Sequence, residues 1–285
     1  MVFDDLASGP IVKWAGGKSQ LLNRYSMFIP ETFNAYHEPF VGGGALFFNL
    51  YSNKRIGRAY LNDTNRDLVN LYICIQNDLE ELKKELRMYE ENKLSKQYYY
   101  KVRNLDRDGE AYTRLTSVQR AARTLYLNKT CYNGLFRVNS KGQFNVPFGN
   151  YKNPKVLDTA SLSAVSCALR LATITCLDFE TALVAACPGD FIYLDPPYHP
   201  VSATASFTSY TENSFSYTDQ ERLARTFREL DERGCQVMLS NSCTEPIIEL
   251  YKGYRMEKLM ARRAINCQGD RRGPVPEIVV MNYYN

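Results

Sequence analysis

The stretch FIYLDPPYHP, residues 191–200, places an aspartate, two prolines and a tyrosine directly after an apolar run. Proline cannot donate to a sheet ladder, so Pro196 must end any strand that residues 191–194 form. Asp195 and the carbonyl of Pro196 can then both accept hydrogen bonds at the strand's carboxyl tip, and an –NH2 group has two hydrogens to give. Tyr198 can stack on a planar ring beside such an amine. The stretch reads as a site for an aromatic amine or an amide, with a plain strand-ending turn as the alternative.

Three further stretches carry chemistry. EPFVGGGALF (38–47) has the strand, glycine turn, helix pattern that suits nucleotide-like ligands, and its glycines let a backbone approach a ligand closely. It is neither GxGxxG nor a P-loop, so by itself it fits a structural turn as well. Asp63, in LND (61–63), can accept both hydroxyls of a ribose or cap the following helix. VKWAGGKSQLL (12–22) sets the single tryptophan beside two glycines and two lysines; it also reads as a loop leading into a helix, with Trp14 in the core.

The elements that must position these residues alternate. Strands are expected at 35–40, 58–63, 171–177, 190–195 and 235–240, and two last strands at about 254–260 and 277–283. Helices are expected at 44–52, 64–77, 158–169, 179–186, 218–233 and 244–251. Such alternation predicts an α/β fold with a mostly parallel sheet covered on both faces, where ligands bind beyond the carboxyl ends of the strands. Residues 78–104 and 115–129 read as helices, and 130–157 as loop or hairpin, which together look like an insertion between two parts of one α/β domain.

Charge distinguishes that insertion. Residues 111–157 contain no Asp or Glu but eight basic residues: Arg114, Arg120, Arg123, Lys129, Arg137, Lys141, Lys152 and Lys155. A second basic segment, 252–273, has seven Lys or Arg against Glu257 and Asp270. On a chain of net charge +4, two such segments suggest a polyanion partner, against the alternative of a solvated surface. The eight cysteines include no CxxC pair and only His37 and His199 could help them hold zinc, so a metal site is not expected. Most cysteines are expected to be reduced core residues of an intracellular protein. The first ten residues lack the pattern of a secretory signal, and no apolar run is long enough to cross a membrane.

Taken together, KWAGGK, EPFVGGGALFF, LND, YNGLFRVNSKGQFNVPFG, DPPY and FTSYTENSF, in this order and spacing, resemble the Dam-type DNA adenine-N6 methyltransferases over nearly the whole chain. DPPY alone is weak, since other methyltransferases carry related tetrapeptides; its combination with KWAGGK and the YNGL motif is specific. The resemblance implies a class I methyltransferase: a doubly wound, mostly parallel, seven-stranded sheet. The catalytic domain would comprise 1–77 and 158–285, with an inserted DNA-recognition domain at 78–157. It implies S-adenosylmethionine as methyl donor, without a metal. Trp14, Lys18, Phe40, Gly42, Gly44, Asp63, Asp178, Phe179 and Asp195 would line the cofactor, and Asp195, Pro196, Pro197 and Tyr198 would hold the target base.

The same resemblance implies double-stranded DNA as partner and GATC as target. Tyr132 would intercalate, Asn133 would meet the orphaned thymine and Arg137 would read a guanine. Leu135, Asn139 and Pro147 would also contact DNA, and Lys13 the other guanine. The remaining Lys and Arg would neutralise phosphates. The enzyme would be cytoplasmic and monomeric, bacterial and nucleoid-associated or phage-encoded, acting alone or alongside a restriction endonuclease of the same specificity. His199 is expected to be a loop residue rather than a base. Three rival readings stand beside it: methyl transfer to another amine (cytosine N4, RNA adenine or a protein glutamine), a DNA-binding relative without catalysis, and an α/β nucleotide-binding module unrelated to methylation, which would make six ordered motifs a coincidence.

Overall fold

A computed structural model describes residues 9–18, 21–200, 215–262 and 274–284. Seven strands form one sheet: β1 (Tyr36–Glu38), β2 (Ala59–Asn62), β3 (Ala172–Thr175), β4 (Phe191–Leu194), β5 (Gln236–Ser242), β6 (Arg255–Arg262) and β7 (Pro274–Met281). Their order is β3-β2-β1-β4-β5-β7-β6. All pairs are parallel except those of β7, which runs antiparallel to β5 and β6. This is the class I methyltransferase architecture the sequence predicts.

The eleven α-helices among the described residues are α1 (Leu22–Tyr25), α2 (Ala45–Ser52), α3 (Arg66–Asn77), α4 (Leu79–Glu91), α5 (Lys96–Arg103), α6 (Gly109–Thr113), α7 (Ser117–Thr130), α8 (Thr159–Leu169), α9 (Phe179–Ala182), α10 (Tyr217–Glu232) and α11 (Glu245–Leu250). None is long and apolar enough to cross a membrane. Their starts follow local chemistry. Asn65 caps α3 by accepting from Leu68 N–H at 3.0 Å, and Thr116 with Gln119 closes a reciprocal capping box on α7.

Strand β4 shows why the sheet is covered on both faces. Phe191 and Tyr193 point into an apolar cluster shared with α1, α2, α3, α7 and α8. Ile192 and Leu194 point into a second cluster with α10 and α11. An uninterrupted apolar run is what a central parallel strand requires. Helices α4, α5 and α7 of the 78–157 segment contribute Leu82, Leu86, Tyr99, Val102 and Leu125 to the first cluster, so the segment shares its core with the sheet. Chain order reverses between β1 and β4, which pair Tyr36 with Phe191. Their carboxyl ends therefore open side by side, where an open α/β sheet binds ligands.

Several boundaries differ from the sequence reading. The helical stretch expected over 78–104 is broken between α4 and α5, where Ser95 caps a new helix by accepting from Tyr98 N–H. The helix expected at 179–186 is a single turn. The cysteines also need correction: Cys74, Cys131 and Cys235 are buried, but Cys167, Cys176 and Cys187 are exposed. Cys176 follows the last residue of β3 and Cys187 lies in the turn before β4, positions that apolar neighbours in sequence do not reveal. Cys267, residues 263–273 of the basic segment 252–273, and FTSYTENS (207–214) lie outside the described residues.

Candidate active site

The tip of β4 is held by its neighbours in sheet and helix. Pro196 is buried, and the turn it starts is tied down three times: Gln220 Nε2 donates to the Pro197 carbonyl (2.9 Å), His199 N–H to Asn241 Oδ1 (3.1 Å), and Ser242 Oγ to the His199 carbonyl (2.7 Å). Asn241 Nδ2 in turn donates to Gln220 Oε1 at 2.9 Å, and both side chains are buried. His199 is thus a loop residue, its Nδ1 3.2 Å from Thr244 Oγ1.

Asp195 is held at one oxygen. Lys18 Nζ lies 2.9 Å from Oδ1, and Ser240 Oγ donates to the same atom at 2.8 Å. Ser240 is positioned by the Tyr193 hydroxyl, 3.0 Å away. Among the described residues, no donor reaches Asp195 Oδ2 or the Pro196 carbonyl. Tyr198 closes one side: its hydroxyl donates to Glu277 Oε2 at 3.0 Å, and Lys18 Nζ sits 4.6 Å from its ring centroid. Burial, followed by the charge of Asp195, keeps the Tyr198 phenol protonated far above its ordinary range.

Beside the β4 tip the chain turns through residues 40–44. Gly42 and Gly44 have φ of +46° and +68°, a region that only glycine enters without strain. A Cβ at Gly42 would come within 2.9 Å of Trp14 Cδ1. Asp63 does not cap α3; it accepts from Gly42 N–H (3.0 Å) and Asn65 N–H (2.9 Å), fixing the glycine turn to the end of β2. Burial pushes its carboxyl above the usual range, opposed by these backbone donors. Buried Asn62 crosslinks three strand ends, donating to the Pro39 and Leu177 carbonyls and accepting from Leu177 N–H and Thr175 Oγ1. Asp178 caps α9 and pairs with Arg222 at 3.0 Å, while Phe179 packs against Phe40 with centroids 5.5 Å apart. A glycine cradle, a half-exposed acid and flanking aromatic rings at the sheet's switch point fit a nucleoside-bearing cofactor. Gly42→Ala should cost about 1–2 kcal/mol of backbone strain and push Trp14 aside. Thermal melting and cofactor titration should both show the loss.

Glu38, at the end of β1, lies below that turn. Burial pushes its carboxyl up to about 8, against a hydrogen bond from the Tyr36 hydroxyl at 2.9 Å. The unfolded chain gives up this proton near pH 4.5 and the folded chain near 8, so stability should fall as pH rises between those values. Asp63, raised in the same direction, adds to the slope. Denaturant melts from pH 5 to 9 should show it, and Glu38→Gln should flatten it.

A third group of residues faces outward on the 130–149 segment. Tyr132 is 52% exposed, and Asn133, Arg137 and Pro147 are exposed beside it. Asn133 and Gly134 are both left-handed (φ +56° and +65°), a sharp turn that presents Tyr132 and Asn133 together. Tyr132 N–H donates to the Pro147 carbonyl at 2.8 Å, which joins the two ends of the motif. Arg137 Nε donates to Asn145 Oδ1 at 2.7 Å and its Nη2 to the Asn145 carbonyl at 3.4 Å, which ties one edge of the exposed guanidinium to the hairpin. Asn139 commits its side chain to the hairpin tip, accepting from Lys141 N–H and Gln143 N–H and donating to Gln143 Oε1.

Residues 14–265 match the family described as D12 class N6 adenine-specific DNA methyltransferase. The chain belongs to that family. It is 45% identical over 278 residues to the Type II methyltransferase M1.LlaDCHI of Lactococcus lactis subsp. cremoris, covering 97% of this chain and 96% of that one. Type II methyltransferase M.MjaIII of Methanocaldococcus jannaschii is 43% identical (96% and 99% covered). The DNA adenine methylase of Escherichia coli K12 is 34% identical (95% and 94% covered). Family membership makes the chain an adenine-specific DNA methyltransferase and implies S-adenosylmethionine as donor.

For a D12-class enzyme the placement of the predicted residues is informative. Asp195, Pro196, Tyr198 and Lys18 come together at the tip of β4; Trp14, Phe40, Gly42, Gly44, Asp63, Asp178 and Phe179 gather at the adjoining strand ends. Lys18, assigned to the cofactor by resemblance, is ion-paired with Asp195. Pro197 is exposed and acts on the turn through its carbonyl. One phosphate assignment needs correction: Arg123 is buried, pairs with Asp106 at 2.8 Å and donates to the Val102 carbonyl, so it serves the core. Arg114 is exposed but paired with Glu110. Ser240, Asn241, Gln220 and Glu277 were not foreseen. The polar SNS ending of the apolar strand VMLSNS was the available signal for the first two.

Proposed function

We propose that this enzyme methylates N6 of an adenine turned out of double-stranded DNA, within GATC. The observation that carries the reading is the division of labour at Asp195: Oδ1 is occupied by Lys18 and Ser240, leaving Oδ2 and the Pro196 carbonyl as a pair of rigidly held acceptors. An exocyclic amine supplies two hydrogens to such a pair. Its lone pair is normally delocalised into the ring; accepting both hydrogens favours a more pyramidal nitrogen and frees the lone pair as nucleophile. The turn's ties to Gln220, Asn241 and Ser242 preorganise the acceptors, which is where most of the rate gain would come from. S-adenosylmethionine, held at the glycine turn with Trp14 and Asp63, supplies an electrophilic methyl group. The proton that the nitrogen then sheds is already hydrogen-bonded to Asp195.

A base inside a duplex cannot enter this pocket, and extruding it costs a few kcal/mol. Tyr132 at its exposed turn is suited to fill the gap, with Asn133 toward the unpaired thymine. Arg137, aimed by Asn145, offers two donors to guanine O6 and N7. Lys13, Leu135 and Pro147 complete the reading surface, and exposed Lys141, Lys152 and Lys155 suit phosphates. A partner endonuclease acting on the same site belongs to this reading, supported by the two relatives named Type II methyltransferases. The test is transfer of labelled methyl groups to duplexes carrying GATC or one-base variants. Label on GATC alone supports the assignment; equal label on every duplex overturns its specificity.

A further inference from the structure

Trp14, the chain's single tryptophan, joins two surfaces. One side of its ring lies on the glycine turn, against Gly42. On the recognition segment it stacks with Phe136, centroids 5.0 Å apart and planes at 28°. Phe136 stands between Leu135 and Arg137 in the chain, so its ring position bears on the main chain of both. The residue before Trp14 is fastened to the same segment. Lys13 N–H donates to Asn128 Oδ1 (3.0 Å), and Asn128 Nδ2 donates to the Lys13 carbonyl (2.8 Å) and to the Gly134 carbonyl (3.1 Å). Asn128 is 2% exposed, so one buried amide on α7 joins the main chain of the KWAGGK loop to that of the recognition turn. The contact is close at the side chain too: a Cβ at Gly134 would fall 2.6 Å from Lys13 Cδ.

We propose that Asn128 is a positioning residue which, with the Trp14–Phe136 stack, couples occupancy of the cofactor turn to discrimination of the target sequence. This rests on the function proposed above. The recognition turn contains two successive left-handed residues, Asn133 and Gly134, and Asn128 ties the main chain of that turn to the Lys13 loop. A ligand packed on the glycine turn restricts the Trp14 ring, and through it Phe136, before DNA arrives. Asn128 keeps the two main chains in register, so that this restriction reaches Leu135 and Arg137. When the cofactor turn is empty, the same stack can slacken and the turn orders only against DNA. Linkage makes the effect reciprocal: the factor by which cofactor tightens cognate duplex binding equals the factor by which that duplex tightens cofactor binding.

The test uses the full-length enzyme, S-adenosylhomocysteine as the cofactor-site probe, a GATC duplex and a one-base variant duplex. Each dissociation constant is measured with and without the other ligand. Wild type should give one coupling factor from both directions, within about 5- to 150-fold for GATC, and a much smaller one for the variant duplex. Trp14 emission should change when the GATC duplex alone is added. Asn128→Ala should leave probe binding to the free enzyme within about twofold and bring the GATC coupling factor close to one. Phe136→Leu, which keeps all three Asn128 hydrogen bonds, guards against a folding defect; it should lose the coupling and the duplex-induced emission change, and Phe136→Tyr should restore both. Wild-type coupling retained in Asn128→Ala and Phe136→Leu overturns the proposal. So does an equal loss of probe affinity with and without DNA. A wild type that prefers GATC but shows no coupling sinks this proposal alone; one with no preference for GATC sinks the functional reading as well.

Discussion

Asp195→Ala is expected to lower turnover by roughly 10²–10³-fold or more, with duplex binding largely kept. The variant removes one of the two acceptors for the amine, and the other carboxylate at this turn, Glu277, is engaged by the Tyr198 hydroxyl. The same change leaves Lys18 buried without its partner, a loss that costs about 3–5 kcal/mol when one half of a buried ion pair is deleted. Asp195→Ala should therefore melt well below the wild type. Pairing it with Lys18→Met should restore most of the melting temperature and none of the activity. That combination separates the two roles of Asp195. A double variant that regained turnover would show that the carboxylate matters only as a counter-ion for Lys18. Asn at 195 should also be inactive, because its amide presents a donor where the incoming amine needs an acceptor.

Arg137→Ala should cost about 1–3 kcal/mol of discrimination at one guanine, measured as the ratio of kcat/KM for GATC over a duplex substituted at that base. General affinity for DNA should fall far less, since one exposed guanidinium among several basic groups contributes modestly to phosphate binding. Asn145→Ala should produce a weaker version of the same defect: the guanidinium stays but loses the acceptor that aims it, 2.7 Å from Nε. An Arg137→Ala enzyme that weakens on all duplexes alike, with a flatter salt dependence, would place Arg137 on the phosphates instead.

The carboxyl ends of the strands were legible because their signals are local. Two prolines stop a strand wherever they stand, and the three consecutive glycines at 42–44 mark a turn that side chains would block. Alternation of strand and helix was enough to place DPPY and VGGG at one edge of a parallel sheet. What sequence could not supply is how distant residues share a single atom. Asp195 Oδ1 is held by Lys18 from the first loop and Ser240 from β5; KWAGGK and the polar end of β5 each stand out in the sequence, but neither says that the two meet at this atom. Gln220 looks like one more polar residue on an amphipathic helix until its contacts with Asn241 and Pro197 are seen. Charge counting failed at Arg123 for a related reason: a window's net charge says nothing about which guanidinium turns inward toward Asp106. Asp63 had two local explanations of equal merit; the tertiary structure removes one by giving the cap to Asn65, and shows Asp63 fastening the glycine turn.

The central claim, that the Asp195–Pro196 acceptor pair directs a methyl group to the N6 amine of adenine in GATC, is tested most directly by the identity of the methylated atom. A GATC duplex is treated with enzyme and methyl-labelled S-adenosylmethionine, digested to nucleosides, and resolved by chromatography and mass. The label should be recovered as N6-methyl-2′-deoxyadenosine, and should disappear with an otherwise identical duplex whose GATC adenines are replaced. Label in N4-methylcytosine, or label that persists when the GATC adenines are replaced, would contradict the account.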